Sequence, residues 1–351
     1  MDKPVFVVGP PGSGTTLLRL MLDSHPDLML ARETGFLRSL SAIHHIPFMQ
    51  GGDTWGDRLG LSTDELDRLI ERFYDGVFSL AAQRQGARRW GDKTPFHVHF
   101  MSEAAQVFPD AQFVGIVRHP GACASSAGRF QLGWASGVRL WSQRTAAMAT
   151  HGIGLGDRFL LVRYEDLVTD QRDVVAEVLQ VLDLPWDDAV LSHHESHSGR
   201  MEGGTQAHDP VDTSRMARWR QSVSDRQLAI LDRKTRGISR LFGYDPVLTE
   251  PTGPLNPTDG GPRAIGGTAL GELAAQRGID LSHHVQFQNS APSPAALAAE
   301  LGETYRLGRE GKSLRPPYSR LVPRREVSNR RIDRVRRRLA RRIAPDRVDL
   351  P

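Results

Sequence analysis

The feature that most constrains this chain lies in its first 23 residues. Val5-Phe-Val-Val8 is an unbroken apolar, β-branched-rich run. Gly9-Pro-Pro-Gly-Ser-Gly-Thr-Thr16 follows at once, and a helical pattern then runs over Thr16–Asp23. A strand that is apolar at every position, rather than at alternate ones, must be covered on both faces, which is the condition of a buried parallel sheet. The glycines let the backbone turn tightly enough for several N–H groups to converge on one anion, and the start of the following helix adds partial positive charge. Pro11, Gly12, Ser13, Gly14, Thr15 and Thr16 are therefore the candidate anion cradle, with Thr15 and Thr16 adding hydroxyl donors. The bland alternative is an ordinary Gly-rich strand–helix turn. The spacing is that of a P-loop, but Thr15 occupies the place of the lysine that reaches the terminal phosphates in nucleotide hydrolases and kinases.

Two more strand patterns follow. Phe113–Val117 ends at Arg118-His119-Pro120, and Phe159–Arg163 ends at Tyr164-Glu165-Asp166. Helical patterns cover Thr63–Phe78, Val138–Ala149, Arg172–Leu182 and Asp225–Leu241. This alternation predicts an α/β fold: a P-loop-type central parallel sheet flanked by helices, with ligands beyond the carboxyl ends of the strands. The pattern weakens after Asp245-Pro246. The expected organisation is a domain over 1–248, a Pro- and Gly-rich linker over 249–267, and an irregular or helical C-terminal extension over 268–351. In that extension Ala269–Gln276 and Pro294–Tyr305 are short helical patterns, and a basic terminal helix carries Ile332, Val335, Leu339 and Ile343 on one stripe.

Charge is distributed unevenly. The 351 residues have a formal net charge of +4, yet Arg320–Pro351 holds twelve Arg against four acids, leaving 33 basic and 37 acidic residues before it. The basicity therefore belongs to the tail and does not mark the body as a nucleic-acid binder. A solvated or self-docking tail helix, seated on the acidic body or on an identical subunit, ranks first, contact with an anionic membrane surface second, and nucleic acid last. Cys123 is the single cysteine, which excludes an internal disulfide and a zinc-finger framework. With no export signal before Val5 and no apolar run of membrane-spanning length, a cytoplasmic location is expected. His193-His194-x-x-His197 lacks a companion carboxylate or cysteine pattern, so exposed histidines are preferred there to a metal site.

The residues also carry a family resemblance. Pro11-Gly-Ser-Gly-Thr-Thr-Leu-Leu-Arg-Leu-Met-Leu-Asp-Ser-His-Pro-Asp27, followed by Glu33-Thr34, resembles the 5′-phosphosulfate loop of PAPS-dependent sulfotransferases (PAPS is 3′-phosphoadenosine 5′-phosphosulfate). Within that family the pattern is most like the tyrosylprotein sulfotransferases and their bacterial relatives. Phe113-Val-Gly-Ile-Val-Arg-His-Pro with Ser126 resembles the 3′-phosphate site, Trp90-Gly-Asp-Lys-Thr-Pro-Phe96 the segment with an active-site lysine, and Arg163-Tyr-Glu-Asp-Leu-Val168 and Arg215-Met-Ala-Arg-Trp219 two later segments. The resemblance covers about residues 4–245.

The resemblance implies transfer of a sulfuryl group from PAPS to a small-molecule, carbohydrate or peptidyl hydroxyl acceptor, with no metal required. Glu33 would be the base and Lys93 the cation at the reacting oxygens. Pro11–Thr16 would cradle the phosphosulfate, Arg118 and Ser126 would hold the 3′-phosphate, and Arg129, Tyr164 and Arg218 would be further nucleotide contacts. His97 or His99 would line the acceptor pocket. The departure is Gly12, where the family usually has Arg or Lys aimed at the phosphosulfate bridge. Lys93, Arg19 or another cation must then substitute, or the chain binds nucleotide without turnover. A P-loop kinase is the remaining alternative, with Asp166 as a partial stand-in for its magnesium ligand.

Overall fold

The computed structural model describes residues 3–37, 40, 55–130, 133–196, 207–255 and 263–281. The chain divides into a unit spanning Met1–Ala298 and a second spanning Ala299–Pro351. All described residues lie in the first, so the Pro294–Tyr305 pattern and the basic terminal helix lie outside the described residues.

Six strands form one sheet in the order β2-β3-β1-β4-β5-β6: β1 Val5–Val8, β2 Leu28–Arg32, β3 Arg89–Lys93, β4 Gln112–Val117, β5 Phe159–Arg163 and β6 Ile265–Gly266. The first five run parallel, and β6 pairs antiparallel with β5. The unbroken apolar run of β1 is explained by its central position. Phe6 and Val8 enter one core with Trp90, Phe108, Phe113 and Trp141, while Val5 and Val7 enter the other with Leu18, Leu22, Val114, Ile116 and Val162.

The helices used below are α1 Thr15–Asp23, α2 Thr63–Arg84, α3 Met101–Val107, α4 Pro120–Ser126, α5 Trp134–Leu155, α6 Tyr164–Thr169, α7 Gln171–Val181, α8 Asp225–Ser239 and α9 Gly267–Gln276. Ser62 and Ser224 start α2 and α8 through reciprocal capping boxes with Glu65 and Gln227, satisfying N–H groups that a helix start leaves open. Two helices outrun their expected ends. α2 continues past Phe78 because Ala82 keeps its inner side buried, and it stops before Gly86, whose φ is +79°. α5 runs on through Gly152, where a Cβ would stand 2.4 Å from the Phe159 ring.

Within the stretch 249–267, expected to link body and extension, Leu255, Ala264 and Ile265 are buried, and Ile265–Gly266 adds the edge strand to β5. The composition is that of a linker, but these apolar side chains hold it to the sheet. α9 then packs on α5 at the close Gly267–Gly152 approach.

Candidate active site

Each of the five parallel strands delivers one candidate residue at its carboxyl end: the Gly9–Thr16 loop after β1, Glu33 after β2, Lys93 at the end of β3, Arg118 after β4 and Tyr164 after β5. Parallel order places these ends along one edge of the sheet, where open α/β folds bind ligands.

The loop turns back on itself through a Ser13 N–H bond to the Pro10 carbonyl at 3.1 Å. Gly12 and Gly14 have φ of +81° and +103°, conformations that only glycine adopts without strain. Close approach also requires them: a Cβ on Gly14 would stand 2.5 Å from the Tyr164 ring, and one on Gly12 2.8 Å from Ser126 Cβ. Gly14 precedes α1 without a capping side chain, and the first turn of α1 carries no acid. The helix start therefore presents uncapped N–H groups, as an anion site requires. Ser13 and Thr15 are buried, whereas Thr16 keeps its hydroxyl 3.4 Å from Lys93 Nζ.

Lys93 is 1% exposed, and its Nζ lies 2.6 Å from Glu33 Oε1, a carboxylate on a side chain that is 58% exposed. The buried ammonium thus joins the loop to an accessible carboxylate. The backbone fixes the same pair, since Glu33 N–H donates to the Lys93 carbonyl at 2.9 Å. Arg19 is ruled out as a substitute cation. It is 3% exposed and donates to Asp23 at 2.8 Å and to the Leu30 carbonyl at 3.1 Å, so it locks α1 to β2.

Beneath this pair lies Asp92, which sequence reasoning did not single out. Its Oδ2 accepts from Thr34 Oγ1 at 2.6 Å and Thr34 N at 3.2 Å, and its Oδ1 accepts from Thr94 Oγ1 at 2.7 Å. His97 Nδ1 lies 3.1 Å from that Oδ1, with both side chains fully buried. Burial pushes the Asp92 carboxyl up, but the adjoining His97 ring and the hydrogen bonds from Thr34 and Thr94 outweigh it and hold the group below the usual carboxylate range. Asp92 therefore ties the residue after Glu33 to the residue after Lys93. The signal that could have found it is its place beside Lys93 in a buried central strand, where an unpaired acid would be costly. His97 is thus part of this support and fully buried, while His99 is held to a pKa of about 3 by burial and by the nearby Arg144 and His151 charges.

On the other side of the loop, the Arg118 guanidinium lies 4.1 Å over the Tyr164 ring. Its contacts to the Gly12 and Arg215 carbonyls are long, both 3.4 Å, and its buried Nε has no hydrogen-bond partner among the described residues. That leaves donors of a planar fork unsatisfied next to the anion loop, which fits a phosphate. The strand-end turn is set from below. Glu165, fully buried, accepts from His119 N–H at 3.1 Å and Tyr244 O–H at 2.6 Å. Burial pushes Glu165 up, against the opposing pull of Arg118, Tyr244 and His119. The His119 ring stacks on Trp219 at 4.5 Å, bringing the 215–219 segment onto this turn.

Ser126 reaches the loop at Gly12. Arg218 is 57% exposed and bonds Asp212 and Ser214, so it stands at the rim with no described bond to the loop. The Arg129 side chain lies outside the described residues. Asp166 is engaged by both nitrogens of an Arg163 fork at 2.9 and 2.7 Å, which makes it a structural partner of Arg163. His193 is buried with Nε2 3.2 Å from the Ala207 carbonyl, and His197 lies outside the described residues.

The chain is similar to known proteins in sequence and in fold. The model of the sulfotransferase family matches residues 4–188. Protein-tyrosine sulfotransferase 1 of Danio rerio is 28% identical over 272 residues, spanning 71% of this chain and 75% of that protein. The protein-tyrosine sulfotransferase of Drosophila melanogaster is 27% identical over 266 residues, spanning 70% and 52%. Among solved structures, the sulfotransferase domain of the Synechococcus PCC 7002 olefin synthase shares the fold, with a TM-score of 0.51 and 24% identity over 70% of this chain and 97% of that one.

Proposed function

The chain belongs to the sulfotransferase family, and on that footing we propose that its donor is PAPS and that Glu33 and Lys93 are the catalytic pair. The observation that carries this reading is the line Thr16–Lys93–Glu33, with contacts of 3.4 and 2.6 Å, running from the anion loop to an accessible carboxylate. The nucleotide supplies the sulfuryl group and a bisphosphate leaving group. The residues fit it: the uncapped start of α1 and the backbone of Pro11–Thr16 would hold the 5′ end, and Arg118, with its unsatisfied Nε and with Nη1 3.4 Å from the Gly12 carbonyl, would hold the 3′-phosphate together with Ser126, which reaches the same glycine.

Glu33 Oε then accepts the proton of the acceptor hydroxyl. Protonation neutralises the partner of Lys93, and among the described residues the buried ammonium then keeps the Thr16 hydroxyl, together with whatever negative charge gathers at the loop mouth. Proton uptake at Glu33 and charge stabilisation by Lys93 are coupled in this way. The kinase reading loses its support, because Thr15 fills the lysine position and Asp166 is committed to Arg163.

The test is turnover of labelled PAPS against a panel of tyrosyl peptides, phenols, sugars and alcohols, with calorimetric binding of adenosine 3′,5′-bisphosphate in parallel. Tyrosyl peptides head the panel because the relatives named above are protein-tyrosine sulfotransferases. Glu33→Gln and Lys93→Ala should each lower turnover by about 10²–10³. Glu33→Gln should leave bisphosphate binding in place. Full activity in either variant refutes the assigned pair.

A further inference from the structure

Helix α2 carries an apolar shoulder beside its buried face. Leu66, Ile70, Phe78 and Ala82 pack inward, but Leu69, Phe73, Val77 and Leu80 remain 51%, 64%, 51% and 50% exposed. Large apolar side chains gathered on one helix mark an interaction surface more often than a solvent-facing one. Positions 69, 73, 76 and 80 follow the alternating four-three spacing of a helix–helix seam. Seam position 76 is an exposed glycine, and no atom of the described residues lies within 4 Å of where its Cβ would stand.

The seam is symmetric about its own middle. If a second α2 is laid antiparallel on the first, Leu69 of one copy lies against Leu80 of the other, and Phe73 lies against the gap left by Gly76. A twofold axis generates each contact twice, as a closed dimer requires. Charge favours the same direction. The first turn of α2 is acidic, with Asp64 and Glu65, and the last turn holds Arg84. Antiparallel packing brings the acidic end of each helix to the basic end of the other, whereas parallel packing would align like with like. The positions beside the seam include Glu65, Arg72 and the apolar Val77, with one charge of each sign, so the seam lacks the basic border of a helix that lies on an anionic membrane.

We propose that α2 docks antiparallel on α2 of a second copy of this chain, with Leu69, Phe73, Gly76 and Leu80 as its seam. The seam is smaller than a standard stable interface, so dissociation on the order of micromolar is expected.

The experiment uses the full chain. Sedimentation over a concentration series should show the mass rising from 38.9 kDa toward twice that value. Phe73→Glu should shift the midpoint at least about tenfold toward monomer, with the far-ultraviolet spectrum and bisphosphate binding retained as evidence of folding. Register is tested by cross-linking, for which the native background is clean, since Cys123 is buried. The double variant Leu69→Cys/Leu80→Cys should form a disulfide-linked dimer under mild oxidation. Leu69→Cys alone should not, because the two copies of position 69 would be about 16 Å apart along the seam. A monomer at every concentration, a dimer indifferent to Phe73→Glu (one formed through the tail, for instance), or equal cross-linking by the single variant would each overturn the proposal.

Discussion

Gly12 stands where the family usually has a basic residue, and the structure predicts that restoring that residue will harm the protein. At φ +81° a side chain incurs about 1–2 kcal/mol of backbone strain. The Cβ would also meet Ser126 Cβ at 2.8 Å, an overlap with that side chain that adds about 1–3 kcal/mol. If the loop reshapes to relieve both, anion affinity falls about 30-fold at the low end and more than about 1,000-fold at the high end, at 1.4 kcal/mol per tenfold. Gly86 provides the control: its φ is +79° and no atom of the described residues lies within 4 Å of its Cβ position. Gly86→Ala should therefore lower stability by about 1–2 kcal/mol through strain alone and leave nucleotide affinity untouched. Calorimetric titration of adenosine 3′,5′-bisphosphate into the parent, Gly12→Ala, Gly12→Arg and Gly86→Ala, with thermal melts of each, separates the strain from the overlap. A Gly12→Arg protein that binds as tightly as the parent and turns over faster would refute this reasoning and show that the loop accepts the family's usual cation.

Asp92→Asn should slow turnover by roughly tenfold or more, the equivalent of weakening charge-assisted bonds to Thr34 and Thr94, while bisphosphate affinity stays within a factor of about two; equal losses in both would make Asp92 merely structural. Arg118→Ala should erase the preference for adenosine 3′,5′-bisphosphate over the 5′-monophosphate, a loss of about 10–100-fold read by competitive binding; an unchanged preference would remove Arg118 from the 3′-phosphate site. Acid should destabilise the fold through buried neutral histidines. Burial holds His119 to about 4, His151 to about 4 and His99 to about 3, so the unfolded chain binds more protons as pH falls below about 6.5. Their contribution is complete above that value and declines toward pH 4, although Glu165, pushed up by burial, works in the opposite sense above its ordinary value. Melting temperatures from pH 7.5 to 5 should fall, and His119→Asn should flatten the slope; an identical slope would show that His119 is not held neutral.

What the sequence made legible divides along physical lines. β1, β4 and β5 are central strands with apolar residues on both faces, and their runs could be read directly. β2 and β3 could not: β2 is Leu-Met-Leu-Ala-Arg, with no β-branched or aromatic residue to mark a strand, and β3 is Arg-Trp-Gly-Asp-Lys, polar at three of five positions although buried at all five. Its charges are satisfied by partners distant in sequence: Arg89 by Lys3, Leu182 and Gln112, Asp92 by Thr34, and Lys93 by Glu33. Hydrophobic periodicity is blind to such a strand. β6 escaped for the opposite reason, being two residues in a Pro- and Gly-rich stretch. The site residues were named through motif resemblance, which carries identity but not support. Asp92, Glu165 and Tyr244 hold the named residues in place, and their roles exist only once β2 meets β3 and the 240s meet β5.

The same contacts explain how a site can lack the usual loop cation and remain cationic where charge is needed. The body has more acidic than basic residues, so no general positive field draws an anion to it. Instead, two cations stand on either side of one helix start, Lys93 toward Glu33 and Arg118 over Tyr164. Lys93 is anchored in the sheet and Arg118 lies on a ring that packs against Gly14, so neither must be ordered when an anion arrives. A flexible arginine at position 12 would have to be immobilised in the transition state, at an entropic cost of about 1–2 kcal/mol. Placing the charge on β3 avoids that cost and frees position 12 for the left-handed turn that lets Ser126 approach. Gly12 and Lys93 are on this account two parts of one arrangement, and a gain-of-charge substitution at Gly12 should fail even where its sterics are relieved by Ser126→Gly.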